Sequence, residues 1–234
     1  MARSGEKTKK QDNLSILAID VGGTRVKALV SGEEEPVREI SGPDYTPEQM
    51  VEAVLRLTAH WHYDVISLGV PSVVRRGQIV RDPVNLGTGW AGFDFAQAFG
   101  KPIKVVNDAA LQAIASYEGG RMLFLGLGTG LGTCMVLEGV VAPMELGHMP
   151  YRKGLTFEQH VGNAGMESLG KKEWREHVAI VIDILYQALE PDYVVLGGGN
   201  TKHLREIPDY ARIISNASAF EGGFRLWRGN IPTL

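Results

Sequence analysis

Two short stretches, "DVGGTRVK" from Asp20 to Lys27 and "LGTGLGT" from Leu127 to Thr133, place glycines and threonines where apolar runs turn over. A Gly-rich turn between strands points backbone N–H groups at an anion with no Cβ in the way, and a threonine hydroxyl adds a donor. Phosphate is the anion this suits. Gly22, Gly23 and Thr24 serve the first loop, and Gly128, Thr129 and Gly130 the second. Asp20 would repel phosphate directly, so its sensible task is to hold a hydrated Mg²⁺ through water. Lys27, on the outgoing strand, reaches the same region. A Gly-Gly hairpin with a solvated aspartate explains the first stretch equally well; two such loops in one short chain favour a clamp on a phosphate chain. A third cluster, Gly197, Gly198 and Gly199, follows "YVVL" and precedes an expected helix. Such a helix N-terminus would meet a nucleotide or a phosphate, although a tight strand-to-helix turn has the same glycines.

Phosphoryl transfer to an alcohol needs a carboxylate that orients the hydroxyl and accepts its proton. In "VVNDAALQAI", Asp108 follows a buried strand and opens a helix, the place from which it would face a cleft. An aspartate there is most often a cap; beside two phosphate loops it becomes the candidate base. Asn107 could bond a neighbouring hydroxyl of the acceptor. A sugar presents several hydroxyls, and "MELGHMPYRKGLTFEQHVG" supplies Glu145, His148 and Glu158 as further partners, since carboxylates accept and a neutral imidazole can do both. Glu145 with His148 could equally be a surface pair or part of a metal site, but no cysteines or further close histidines complete a tetrahedral shell. His60 and His62 are expected to end the first helix, and His160, His177 and His203 to be ordinary structural residues. Lys171, Lys172 and Arg175 form a basic cluster expected ahead of the long helix, a solvated face or a track for a long anion.

The elements that must hold these residues are those of an α/β chain. "LSILAIDV", "TRVKALV" and "EPVREI" read as an antiparallel meander, and "TPEQMVEAVLRLTAHW" as a helix with Thr46 as N-cap and Pro47 at its first position. "DVISLGVP" and "KPIKVVND" read as buried parallel strands. The long Gly-rich segment between them is the length of a functional loop. The second half restarts the plan with strand, glycine turn, strand and hairpin, then the helix "KKEWREHVAIVIDILYQALE", which suggests a weak internal duplication around a cleft.

A 234-residue chain suffices for one large domain or two lobes. Its 24 Lys and Arg against 27 Asp and Glu give a net charge of -3, which offers no whole-chain attraction to nucleic acid or to an anionic membrane. The single cysteine, Cys134, rules out an internal disulfide and a multi-cysteine zinc site, and a reducing cytoplasm is the expected setting. The polar residues 1–13 read as a disordered tail without a secretory apolar region, and no apolar run approaches the roughly 20 residues that span a bilayer.

"DVGGTRVKALV", "GVP", "VVNDAA", "LGTGLGT", "ELGH" and "VLGGG" occur in the order seen in the ROK sugar kinases, and the chain resembles that family over nearly its whole length. Within it the chain is most similar to the polyphosphate glucokinases, sharing "VGGTRVK", "ALEPDYVVLGGGN" and "AFEGGFRLW" and lacking a cysteine-rich zinc loop. The resemblance implies a two-lobed actin-like ATPase (ribonuclease H-like) α/β fold with a central cleft. Residues 14–108 would form the smaller lobe, completed by a C-terminal helix at 217–234, and 109–216 the larger. It implies phosphorylation of glucose at its 6-hydroxyl from polyphosphate or ATP with Mg²⁺, and a homodimer. Asp108 would be the base, with Asn85, Asn107, Glu145, His148 and Glu158 on the sugar. Asp20, Gly22, Gly23, Thr24, Lys27, Gly128, Thr129 and Gly130 would serve the phosphates, and Gly197, Gly198 and Gly199 an adenosine. Polyphosphate would call on basic residues such as Arg75, Arg76, Lys171, Lys172 and Arg175. The chain departs from the pattern at Pro71-Ser72, where Pro-Gly is usual, and at Ala110, where many relatives have Asn. A kinase of another hexose, or a non-catalytic sugar-sensing ROK protein, are the alternatives.

Overall fold

The computed structural model describes residues 14–214 and 218–229. The expected tail, 1–13, and the ends of the expected C-terminal helix lie outside the described residues. β1 (Ile16–Val21), β2 (Arg25–Val30) and β3 (Val37–Ile40) form the antiparallel meander. Its register sets Asp20 opposite Lys27. α1 (Pro47–Leu57) starts with a capping box in which the Thr46 side chain accepts from the Gln49 N–H and Gln49 reaches back to Thr46. Met50, Val51 and Val54 then bury one face of the helix on the sheet. α1 ends at Leu57 with Thr58 as C-cap, so His60 and His62 lie beyond the helix rather than in its last turn.

β4 (Val65–Val70) runs parallel to β1, and β7 (Ile103–Asn107) parallel to β4. Between them the long loop carries a small hairpin, β5 (Val74–Arg75) with β6 (Gln78–Ile79), and the short α2 (Phe95–Phe99). The first sheet has the order β3-β2-β1-β4-β7. α3 (Asp108–Ser116) leads to the second meander, β8 (Arg121–Leu127), β9 (Leu131–Leu137) and β10 (Val140–Met144). After α4 (Phe157–Val161) and α5 (Asn163–Leu189), β11 (Tyr193–Gly197) joins parallel to β8 and β12 (Ala211–Ile213) parallel to β11. The second sheet's order, β10-β9-β8-β11-β12, repeats the plan of the first. The chain is thus an α/β, two-lobed molecule with a sheet in each lobe.

Two sequence expectations need correction here. α5 is two helical stretches joined at Gly170, where φ is 75° and the backbone is not helical: the stretch 163–169 was not expected, and the second starts at Lys171 as expected, so Lys171, Lys172 and Arg175 lie in its first turns rather than ahead of it. Gly199–His203 after the third glycine cluster is a five-residue 3-10 turn, too short to present a helix dipole to an anion.

α3 is the element both halves share. Val106, Ala110, Leu111 and Ile114 pack with Phe124, Cys134, Val136 and Val195 of the second sheet. α6 (Ser218–Arg228) lies across its other side and inserts Phe220 and Phe224 against Ile16, Ala18 and Val65. Close approach is needed on both sides. A Cβ on Gly222 would overlap the Leu111 carbonyl, and one on Gly69 would stand 2.5 Å from Leu111 Cδ1 and 3.6 Å from the Asp108 Cα. The backbone carrying Asp108 is therefore held by direct packing rather than by a loop. Ser67 Oγ donating to Gly223 O and Trp227 Nε1 donating to Ile66 O fix α6 to the first sheet.

Candidate active site

Asp108 is the first residue of α3, and its neighbour Asn107, not Asp108 itself, is the N-cap. Asn107 Oδ1 accepts from the Ala109 N–H at 2.9 Å while its Nδ2 donates to Ser72 O at 3.1 Å, which ties the cap to the loop after β4. Asp108 Oδ1 also accepts from Ala109 N–H, at 2.8 Å. Burial pushes the Asp108 carboxyl up to about 7, and the negative charge of Asp20 adds to the effect. The Ala109 and Asp108 N–H groups pull the other way, and Glu145 pushes up slightly. A carboxyl poised near neutrality can take a proton from an alcohol and release it again. Asp20 is itself raised, by burial first, with Lys27 opposing; the Lys27 Nζ stands 3.6 Å from Asp20 Oδ2.

His148 is placed by a 3-10 turn, Leu146–His148, that follows β10. Its Nδ1 is 3.7 Å from Glu145 Oε2 and its Nε2 is 3.5 Å from Glu158 Oε1. These separations exceed hydrogen-bond length, so the three side chains converge without saturating one another. Glu158 is aimed by α4, whose Thr156–Gln159 capping box fixes the first turn. A cavity of about 420 Å³ opens between the lobes, lined by Val74, Arg75, Arg76, Asn107, Pro143 and Glu145 among others. That volume falls in the range of small-molecule sites. Of the expected site residues Asn107 and Glu145 line it, with Arg75 and Arg76, while Asp108, Asn85, His148 and Glu158 are not among its lining residues.

The phosphate loops carry a correction. The Gly22 N–H donates to Arg25 O at 2.9 Å and the Gly128 N–H to Gly130 O at 3.2 Å, so these two amides close their own turns and are not offered to an anion. The amides of Gly23, Thr24, Thr129 and Gly130 have no partner among the described residues. Each loop also touches a sugar candidate. A Cβ on Gly23 would lie 2.9 Å from the Asn85 Cβ, and one on Gly130 would lie 2.6 Å from Glu158 Oε2.

Two residues that sequence reasoning passed over hold the second loop. Asn200 Nδ2 donates to Gly128 O at 3.0 Å and to Asn163 Oδ1 at 2.8 Å, while the Asn163 N–H reaches both Gly128 O and Thr129 O at 3.1 Å. Asn200 directly follows the glycine run, the one hint the sequence offered. Gly198, with φ of 86°, packs on the Leu127 carbonyl, so the third glycine cluster backs the second loop. His160 and His177 are structural residues, as expected. Both are buried, 5.0 Å apart between ring centroids, with the Tyr151 hydroxyl 3.1 Å from His177 Nδ1.

Among the described residues no group of three or more His, Cys, Asp or Glu is arranged to hold a metal ion. The charge of Asp20 adds to the rise of the Asp108 carboxyl, and such a pair would suit a hydrated Mg²⁺. No helix among the described residues is long and apolar enough to cross a membrane.

The model of the ROK family matches residues 16–168, a span running from β1 through the Glu145–His148–Glu158 cluster into α5. The chain belongs to the ROK family. It is 24% identical over 203 residues to the polyphosphate glucokinase of Mycobacterium tuberculosis (strain CDC 1551 / Oshkosh), covering 77% of this chain and 76% of that one. An N-acetylmannosamine kinase of Escherichia fergusonii is 30% identical over 142 residues, 54% of this chain and 48% of that protein. Among solved structures, the inorganic polyphosphate/ATP-glucomannokinase of Arthrobacter sp. strain KM superposes with a TM-score of 0.77 at 23% identity, over 91% of this chain and 97% of that one. At that identity the superposition speaks for the fold.

Proposed function

We propose that this ROK protein is a glucokinase that transfers a phosphoryl group from ATP or polyphosphate to the 6-hydroxyl of glucose, with Asp108 as general base. The observation that carries the reading is Asp108 at the first position of α3, next to Asn107 of the cavity lining, with its carboxyl pushed up to about 7 by burial and by the charges of Asp20 and Glu145. The relative in Mycobacterium tuberculosis named for polyphosphate and glucose supports this donor and acceptor. On this reading the hexose hydroxyls are bonded by Asn107 and Glu145, which line the cavity, and by Asn85, His148 and Glu158, which are not among its lining residues. The donor lies along Gly23, Thr24, Thr129 and Gly130, with Lys27 balancing its charge. Gly22 and Gly128 shape those turns, and Gly197, Gly198 and Gly199 lie beside the adenosine when the donor is ATP.

In the transfer the hexose oxygen bonds to the terminal phosphorus as the bond from that phosphorus to the bridging oxygen breaks. The hydroxyl proton passes to an Asp108 carboxylate oxygen. Asp108 ionises near neutral pH, so at pH 7 to 8 a useful fraction is ready to accept it. Mg²⁺, when bound with the donor near Asp20, supplies neutralisation of phosphate charge. Closure of the lobes, divided near Asp108 with α6 completing the smaller one, would exclude competing water. Arg75 and Arg76, at the cavity wall, are placed to meet the outgoing anion or a long polyphosphate. A cytoplasmic homodimer without nucleic-acid or membrane partners belongs to the same reading.

The second acceptor is N-acetylmannosamine, favoured by the Escherichia fergusonii relative. A non-catalytic sugar sensor is disfavoured because it has no use for a carboxyl poised near neutrality between two phosphate loops. The test is direct: glucose, mannose and N-acetylmannosamine, each with Mg²⁺ and either ATP or long-chain polyphosphate, following the sugar phosphate formed. Glucose 6-phosphate as the preferred product supports the proposal; binding of glucose with no turnover from either donor defeats it.

A further inference from the structure

We propose that Lys171, Arg175 and Lys202 form a track for a long-chain polyphosphate donor, leading away from the Gly128–Gly130 loop behind the transferred phosphoryl group. The inference rests on the kinase reading above and deepens it by naming what holds the donor beyond its reacting end.

Both elements that brace the second phosphate loop run on into these cations. Asn200, in the 3-10 turn Gly199–His203, donates to Gly128 O, and Lys202 is two residues further on, its Cα within about 7 Å of that of Asn200. The Asn163 N–H reaches Gly128 O and Thr129 O, and the helical stretch that it opens delivers Lys171 roughly 10 Å further along. The two elements are joined where the cations meet: Arg175 Nε donates to His203 O at 2.6 Å. Lys171 and Arg175, four residues apart, share a helix face. Loss of water contact and then the positive charges of Lys171, Lys202 and Arg175 hold the His203 imidazole below its ordinary pKa, so all three lie within electrostatic reach of one ring. Among the described residues no carboxylate pairs with Lys171, Arg175 or Lys202. Cations gathered without a counter-charge draw in an anion.

The structure separates this cluster from the other basic residues. Lys172 lies on the neighbouring helix face, in a surface pocket that Glu173 and Glu176 also line, and Arg75 and Arg76 line the acceptor cavity. Asp20 and Asp108 stand at the reacting end and repel the rest of a phosphate chain, which is favoured where the charge is positive. Every further unit of a longer chain brings another negative charge. The track therefore favours long chains over tripolyphosphate or ATP, whose charge ends sooner.

The experiment measures KM for long-chain polyphosphate, tripolyphosphate and ATP at saturating glucose, in the full chain and in Lys171→Ala, Lys202→Ala and the double variant. Binding of long-chain polyphosphate without glucose is followed in parallel by calorimetry. Both lysines are exposed, so the variants should melt with the wild type. An exposed charge contributes only a few-fold, so the double variant should bind long-chain polyphosphate about five- to tenfold more weakly, with ATP and tripolyphosphate within about twofold. Added salt should narrow that gap. Equal weakening of all three donors would put these cations on the terminal phosphates, and overturns the track. So does unchanged binding of the long chain, or polyuridylate competing as well as polyphosphate, which would make the cluster a surface for any polyanion. A wild type that turns over ATP but not polyphosphate also overturns it and leaves the kinase reading standing; one that turns over neither removes both.

Discussion

Replacing Asp108 by Asn should stabilise the protein, and only above a defined pH. Asn keeps the shape and can still accept from the Ala109 N–H, so the cap region of α3 is preserved while the charge is removed. In the folded wild type the carboxyl titrates near about 7, raised first by burial and then by Asp20. In the unfolded chain it titrates near ~3.9. Between these values the folded state holds the proton more tightly, so the wild type loses stability as pH rises through the window and stays at the lower level above it. At about 1.4 kcal/mol per pH unit the ceiling is near ~4 kcal/mol; for a half-buried carboxylate, solvent screening reduces this to roughly 1–2 kcal/mol. For a chain of this size that corresponds to about 2–8 °C in Tm. The assay is a pair of melting curves at pH 4, 6 and 8. The two proteins should melt together at pH 4, with the variant gaining progressively towards pH 8. A gap independent of pH, or a variant less stable than wild type at pH 8, would refute the argument that burial and Asp20 disfavour the ionised form.

The same titration sets the pH profile of hexose phosphorylation: kcat/KM should rise with pH, half-maximal close to about 7, and level off above; a flat profile from pH 5 to 8 excludes Asp108 as the base. Gly130→Ala would bring a Cβ 2.6 Å from Glu158 Oε2, the movable end of its side chain. The fold should tolerate it with little change in Tm, while the displaced carboxylate raises the hexose KM about tenfold or more; an unchanged KM removes Glu158 from the sugar site. Asn200→Ala leaves Asn163 Oδ1 without its donor and Gly128 O with the Asn163 N–H alone, at a cost of about 1–3 kcal/mol. Its kinetic signature is a raised donor KM with the hexose KM unaltered, read by varying each substrate at saturation of the other.

Most of the frame was legible because local signals and tertiary packing agree. The meander around Gly22 and Gly23 follows from apolar runs broken by turn residues, and α1 from Thr46, Pro47 and Gln49 at its first turn. Asp108 could be singled out because an apolar strand runs straight into Asn-Asp and a helix. The misses have several causes, and one of them is dependence on groups far away in the chain. Asn200 acts on a carbonyl 72 residues away and on Asn163 37 residues away, and neither spacing leaves a local trace. The helical stretch ahead of Gly170 was hidden by Gly165 and Gly170, poor helix formers that are tolerated because α4 packs tightly at the first and the helix is interrupted at the second. The Gly22 and Gly128 amides looked available since composition shows that a turn exists but not which of its N–H groups the turn itself consumes. His160 and His177, expected to be structural, are both buried beside the Tyr151 ring.

The most direct test is a structure of the protein with glucose and a non-hydrolysable ATP analogue. Asp108 should lie within hydrogen-bond reach, about 2.6–3.2 Å, of the 6-hydroxyl, with Glu145, His148 and Glu158 on other hydroxyls of the ring. A 6-hydroxyl bonded instead to Glu145 or His148, with the Asp108 carboxyl turned away from the sugar, would contradict the account.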